Sequence, residues 1–235
     1  MNIKTLTGAL IGGCATGIVA GALHFGFLQD IILQAELYES RDLIHFGQVE
    51  AHDHGDAADG HSHSHGDAGE GSDFNRNLLT MLFAGLIYAG YGLILAAIFQ
   101  FVRARGHDVT AMQGVLWGLA GFAVVQMAPS MGLAPNLPGT IAEDINMRQY
   151  WWFGTMAATA IGLGLMFLRP SVLTIAVGFV LIALPHVIGA PVLDEFYGVA
   201  PPELSATFAT RVIGVAFFSW ALLGALVARL TDPNT

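Results

Sequence analysis

Charge is scarce in this chain. Of its 235 residues only 11% are Asp, Glu, Lys or Arg, against about 25% in an average soluble domain, while 54% are hydrophobic. A soluble core of this size could not hide so much apolar side chain, so an ordinary water-soluble domain is excluded and an integral membrane protein is expected. Lysine is almost missing: Lys4 is the only one. Eighteen acids against nine Lys and Arg leave a net charge of −9, which excludes a nucleic-acid partner. No glycine-rich loop ending in Gly-Lys-Ser or Gly-Lys-Thr occurs, so there is no P-loop to bind and hydrolyse nucleotide. Neither an HExxH pair nor a nucleophile elbow is present, and nothing supports an enzyme. The single cysteine, Cys14, excludes an intramolecular disulfide framework and a cysteine-based zinc cage. Its place in mid-run of an apolar segment reads as a buried, inert thiol.

What is there in abundance is long apolar runs. Six are long enough for a bilayer, which takes about 20 residues: Thr5–Leu28, Leu78–Phe101, Thr110–Met131, Tyr150–Leu168, Val172–Ala190 and Ala206–Ala228. Backbone polar groups in lipid must be satisfied within their own segment, so these are helices. The expected fold is all-α and polytopic: a single membrane domain with helix 1 over residues 1–28, a hydrophilic loop over 29–77, and helices 2–6 over 78–235. The first run continues past Cys14 to Leu28, longer than the core of a signal peptide, and reads as a retained helix. Only "RPS", Arg169 to Ser171, joins the fourth and fifth runs, which makes them antiparallel neighbours.

With six spans, Lys4, Arg103, Arg105, Arg169 and Arg229 fall on one side, with both termini. That side is expected to be cytoplasmic. All acids except Asp108 and Asp232 fall on the other, periplasmic side of a bacterial inner membrane. Gly13, Gly17 and Gly21, and again Gly114, Gly118 and Gly121, recur at helical spacing and predict close helix packing. There is also a faint internal echo. "APSMGLAP" (128–135) resembles "LPHVIGAP" (184–191), and each returning helix is entered by an arginine, Arg76, Arg148 or Arg211. Three hairpin repeats would produce this pattern, and interfacial anchoring would produce the arginines.

The hydrophilic loop carries His45, His52, His54, His61, His63 and His65 among carboxylates. Imidazole with carboxylate suits first-row divalent metals such as cobalt, nickel, zinc and copper. The alternating His-Ser-His-Ser-His run has no apolar residue to fold it. It reads as a flexible chelator of low selectivity, with a merely solvated acidic loop as the alternative. Capture of this kind weakens as pH falls through about 6.5, since ligation needs neutral imidazole.

Two histidines lie inside apolar runs, His24 and His186, and ionisable groups at that depth are functional candidates. At about 100° per residue His24 lies roughly 20° from the azimuth of Gly13 and of Gly17, so it points into the packed seam. The alternative is an interfacial histidine bonded to a neighbouring helix. His186 follows Pro185, which removes an in-helix amide bond and frees a carbonyl near Leu181. Broken helices beside polar residues mark many transporter sites. Further pathway candidates are Asp30, Glu36, Glu39, Gln126, Met127, Asp194 and Glu195. Glu36 and Glu39 share a face if that stretch is helical, and their oxygens would complement imidazole around Co²⁺ or Ni²⁺. Met127 and Met131 stand one turn apart and read first as gap-filling core.

"ILQAELYE" after the first run, the histidine-rich loop, "APNLPGT", "RQYWWFGTMAATAIGLGL" and "LPHVIGAP" together resemble the CbtA-type predicted cobalt transporter subunits, over nearly the whole chain. The resemblance implies cobalt import for cobalamin synthesis beside a small, histidine-bearing single-helix partner of CbtB type. It carries His24, Glu36, His186 and the loop histidines over as candidate ligand or pathway residues. Arg148, Trp151 and Trp152 read as an interfacial anchor at the start of the fourth helix.

The resulting expectation is a membrane subunit that captures or transports Co²⁺ or Ni²⁺, its outer loop passing the ion to His24 and His186. Two other classes fit the same residues. One is a structural or assembly subunit of a larger respiratory or photosynthetic membrane complex. The other is a haem-bearing electron-transfer subunit with His24 and His186 as paired axial ligands.

Overall fold

A computed structural model describes residues 2–45, 70–194 and 198–232. Among these residues the chain forms seven helices and no strand: α1 (Ile3–Phe27), α2 (Gln29–Glu39), α3 (Glu70–Ala104), α4 (Ala111–Ser130), α5 (Ile145–Leu168), α6 (Val172–Ile188) and α7 (Pro202–Leu230). Five of them, α1, α3, α4, α5 and α7, are long and apolar enough to cross a membrane. The expected sixth span is α6, which has only 17 residues. At 1.5 Å per residue it reaches about 26 Å, short of the roughly 30 Å hydrocarbon layer. The all-helical class therefore stands, with five helices long enough to span a membrane and two short ones, α2 and α6.

The expected loop over residues 29–77 is helical at both ends. Its beginning forms α2, and α3 starts at Glu70. Composition hid α2 because it is amphipathic and short. Its Ile31 and Ala35 are buried with Leu28, Leu137 and Phe208, while Asp30, Gln34, Glu36 and Leu37 stay exposed. Leu28, at φ −115° and ψ −34°, is the joint between α1 and α2.

Glycines set the helix pairing. A Cβ on Gly13 would strike the backbone at Tyr88 and Ala89, one on Gly17 would strike Ala84 and Gly85, and one on Gly21 would strike the Met81 sulfur. Numbers rise along α1 as they fall along α3, so the two run antiparallel. Gly8 and Gly12, on another face of α1, meet Leu230 and Val227 of α7 in the same antiparallel sense. Gly114 opposes Gly224, and Gly118 opposes the Trp220 carbonyl, which docks α4 against α7. With no hydrophobic force between helices in lipid, such close backbone approach provides the dispersion contacts that hold them. The core of this four-helix group contains Leu95, Phe99, Phe122, Trp220 and Leu223. At the end away from α2, Arg103 donates to the carbonyls of Thr231 (2.8 Å), Ala228 (3.2 Å) and Val109 (3.3 Å), tying the last turn of α7 to α3.

Helices α5 and α6 form the expected hairpin. Gly162 and Gly178 face each other across it. Its turn is capped by Ser171 and Thr174, each of whose hydroxyls accepts the other's backbone N–H, at 3.2 and 2.9 Å. α6 packs along α5 alone, and α5 reaches the rest of the bundle through the last turns of α4.

Cys14 is exposed on α1, so its thiol faces outward and is not buried. It falls beside the first glycine ladder, on an exposed face shared with Leu10, Ile11 and Ile18.

Candidate functional site

His24 and His186, the two histidines of the apolar runs, stand in two separate sites at the α2 end of the bundle. The first is built on α1. His24 is half-buried and lines a groove of about 590 Å³ formed by α1, α3, α4 and α7. The His24 ring lies toward α3, on the side of α1 that carries Gly13 and Gly17. Across the groove stand Arg76 and Thr80 of α3 and Gln126 of α4. Gln126 arrives there through a π-helical stretch, Ala123–Met127, in which the Ala128 N–H bonds the carbonyl of Ala123, five residues back. Pro129 is the physical reason, since it has no N–H to return to Val125 and the turn widens instead.

The second site is built on α5 and α6. The Trp151 indole N–H donates to the Pro185 carbonyl at 3.2 Å, and its ring stands edge-on to the His186 imidazole at 5.9 Å. The indole also fills the space left by the missing side chain of Gly132, with Ala190 beside it. Trp151 is thus a packed inter-helix donor. The expectation that it serves as an interfacial anchor with Arg148 and Trp152 missed this role, because nothing in "RQYWW" says which indole turns inward. His186 keeps its Nε2 shielded from solvent and without a hydrogen-bond partner, as are the hydroxyls of Ser130 and Thr159. A buried polar atom without a partner costs about 1–3 kcal/mol, so such an atom asks for a function.

The structure does not bring His24 and His186 together. His24 faces α3, α4 and α7, whereas His186 faces Trp151. Among the described residues no group of three His, Cys, Asp or Glu is arranged to hold a metal ion. Asp30 and Glu36 line an open groove on the exposed face of α2 together with Asp42. Glu39 instead lies against Gly139, whose φ of 75° admits the loop beneath it. Met127 and Met131 are 41% and 69% exposed, which contradicts the core-filling reading, and Met127 is no wall of the His24 groove. The π-helical turn accounts for this, since it directs Gln126 inward and Met127 outward. Asp194 is exposed, and His45 is half-buried just beyond α2. Glu195 and the histidines His52, His54, His61, His63 and His65 lie outside the described residues. Arg211, expected as an anchor, donates to the Phe27 carbonyl at 3.0 Å and so caps the end of α1; a cation there also opposes the helix dipole favourably.

One protein family matches the chain, described as "Probable cobalt transporter subunit (CbtA)", over residues 3–232. No curated protein and no solved structure matches it.

Proposed function

The chain belongs to the CbtA family of probable cobalt transporter subunits, and from that premise we propose that it is the membrane subunit through which Co²⁺, and with it Ni²⁺, is captured outside the cell membrane and led inward. The α2 end faces the periplasm in this reading. The histidine-rich segment gathers the ion, the exposed carboxylates Asp30, Glu36 and Asp42 beside it supply oxygen ligands, and His186 receives the ion within the membrane. Imidazole and carboxylate replace water one ligand at a time, which suits first-row divalent cations.

The observation that carries the assignment to His186 is its Nε2, shielded and unpartnered behind the Trp151 ring, next to a proline that interrupts the helix. A lone pair held without a partner is available to a metal, and Trp151 must move aside to admit one. His24 is the weaker ligand because, among the described residues, its groove holds no carboxylate and no second imidazole beside it. The name of the family describes a subunit, so a partner chain completes the transporter. A small single-helix partner of CbtB type fits against α5 and α6, whose outer faces no other described helix covers.

Cellular cobalt accumulation at limiting external metal tests the assignment. His186→Ala is expected to lower uptake at least tenfold, and His24→Ala to lower it less. Wild-type uptake by His186→Ala in a protein present at normal levels in the membrane rules the site out.

A further inference from the structure

Resting on the reading of His186 as the first ligand within the membrane, we propose that the cation leaves it along the seam between α5 and α6. Thr159, with the Leu181 carbonyl opposite it, forms the next cation position on that route.

The hydroxyl comes first. A buried hydroxyl in a helix has an easy partner, the carbonyl four residues back. Thr16, Thr155 and Ser219 each take it, donating to the carbonyls of Gly12, Trp151 and Val215 at 2.8 Å. Thr159 does not. It is 3% exposed, and its Oγ1 has no hydrogen-bond partner. The Thr155 carbonyl lies one turn back and goes unused. An unpaired hydroxyl at that depth is costly, so it points to a ligand.

Two contacts fix what stands opposite. In the antiparallel hairpin Gly162 meets the Gly178 carbonyl and Ile182, while Trp151 reaches the Pro185 carbonyl. Thr159 lies between these contacts, about 60° round the helix from Gly162. It stands level with the stretch of α6 between Gly178 and Pro185, which contains Leu181. Pro185 has no N–H, so the Leu181 carbonyl loses its usual helical donor. An unpartnered hydroxyl oxygen and a released carbonyl oxygen thus share one level of the seam. They do not bond each other, and both keep lone pairs for a cation.

Both oxygens are neutral. They hold a first-row divalent cation more weakly than imidazole does, and a position on a route must release what it binds. Interrupted helices whose free carbonyls meet a cation recur in transporters. The cation arrives with part of its water and exchanges two waters for the two oxygens. One turn further in, the Gly162 and Gly178 carbonyls each lie 2.7 Å from the place of the other's missing Cβ. Both glycines therefore bare backbone oxygen to the seam. Beyond them the Met166 sulfur lies 3.0 Å from the same place on Gly178. Donors thus continue from His186 toward the inner end of the hairpin. Among the described helices α6 packs along α5 alone, so the seam widens without disturbing the four-helix group.

Cobalt uptake across a range of external concentrations tests the position, with all variants compared at equal levels in the membrane. Valine keeps the shape of threonine and lacks the hydroxyl. Thr159→Val is expected to lower the maximal rate about tenfold, equivalent to about 1.4 kcal/mol in the barrier, with half-saturation unchanged. Thr159→Ser keeps most of the rate. Thr155→Val, which removes a hydroxyl already satisfied within α5, leaves uptake unchanged. Losing an unpaired buried hydroxyl does not weaken the fold, so Thr159→Val should unfold in detergent at or above the wild-type midpoint. In a Cys14→Ser background, Thr159→Cys should bind Co²⁺ with a thiolate-to-cobalt absorption band that Thr155→Cys lacks. Wild-type maximal uptake by Thr159→Val overturns the proposal, as does a missing band for Thr159→Cys or an equal band for both cysteine variants. A lowered unfolding midpoint for Thr159→Val makes the hydroxyl structural and overturns it too. Normal uptake by His186→Ala removes the assignment of His186 and this position with it. A defective His186→Ala beside a normal Thr159→Val removes this position alone.

Discussion

Trp151 and Arg103 each hold several parts of the chain together from a single side chain. Trp151→Phe keeps a ring beside His186 but loses the bond to the Pro185 carbonyl. A neutral hydrogen bond of this kind contributes about 1 kcal/mol. Thermal unfolding in detergent should show a loss of that order, and an unchanged midpoint would mean the bond adds nothing. Arg103→Gln removes a cation that reaches three backbone carbonyls and the Thr231 hydroxyl. Hydrogen bonds to charged groups are the stronger kind, so a loss of about 2 kcal/mol is expected, with the end of α7 becoming protease-sensitive first. His24 and Gly13 were legible from helical periodicity alone. The inward turn of Trp151 was not, because a rotamer is chosen by the partner helix, and Gly132 and Pro185 are distant in sequence from the tryptophan.

Between elements, the glycines divide into those that touch a backbone and those that touch nothing. A side chain at Gly224 or Gly118 meets the backbone of the opposing helix, whereas Gly154 has open space around it. Gly224→Val should therefore separate α4 from α7 at a cost of about 1–3 kcal/mol or more. Gly154→Ala should leave stability unchanged or slightly improved, since alanine is the better helix former. Parallel unfolding in one detergent compares the two directly, and equal losses would show that glycine content, and not contact, governs the packing. The ladders on α1 and α4 were visible in the sequence, but their partners were not. Gly224 has no repeat around it that marks it as the mate of Gly114. α2 escaped notice for a related reason: eleven residues with four exposed polar or charged side chains look like a loop until Phe208 and Leu137 arrive to cover Ile31 and Ala35.

For the whole molecule the question is how an ion gathered outside reaches the other side. The histidine-rich segment acts, in the proposed reading, by raising local metal concentration ahead of translocation. Deleting residues 52–65 should therefore raise the cobalt concentration that gives half-maximal uptake several-fold and leave the maximal rate nearly intact. A fall in the maximal rate with no change in half-saturation would place the segment in translocation itself. The division of the bundle into a glycine-locked group (α1, α3, α4, α7) and a hairpin (α5, α6) that joins it only near the end of α4 offers a natural boundary for such movement.

Composition and periodicity alone determined the membrane class, the helical fold, the near-correct limits of the long spans and the inward side of α1, because lipid leaves the backbone no other choice and a helix repeats every 3.6 residues. Only the tertiary structure decided that His24 and His186 stand in different neighbourhoods, and that Arg76 shares the groove of one and Trp151 covers the other. Those facts depend on which helices lie side by side, and pairing is settled by contacts between residues far apart in the chain, for which local pattern carries no signal.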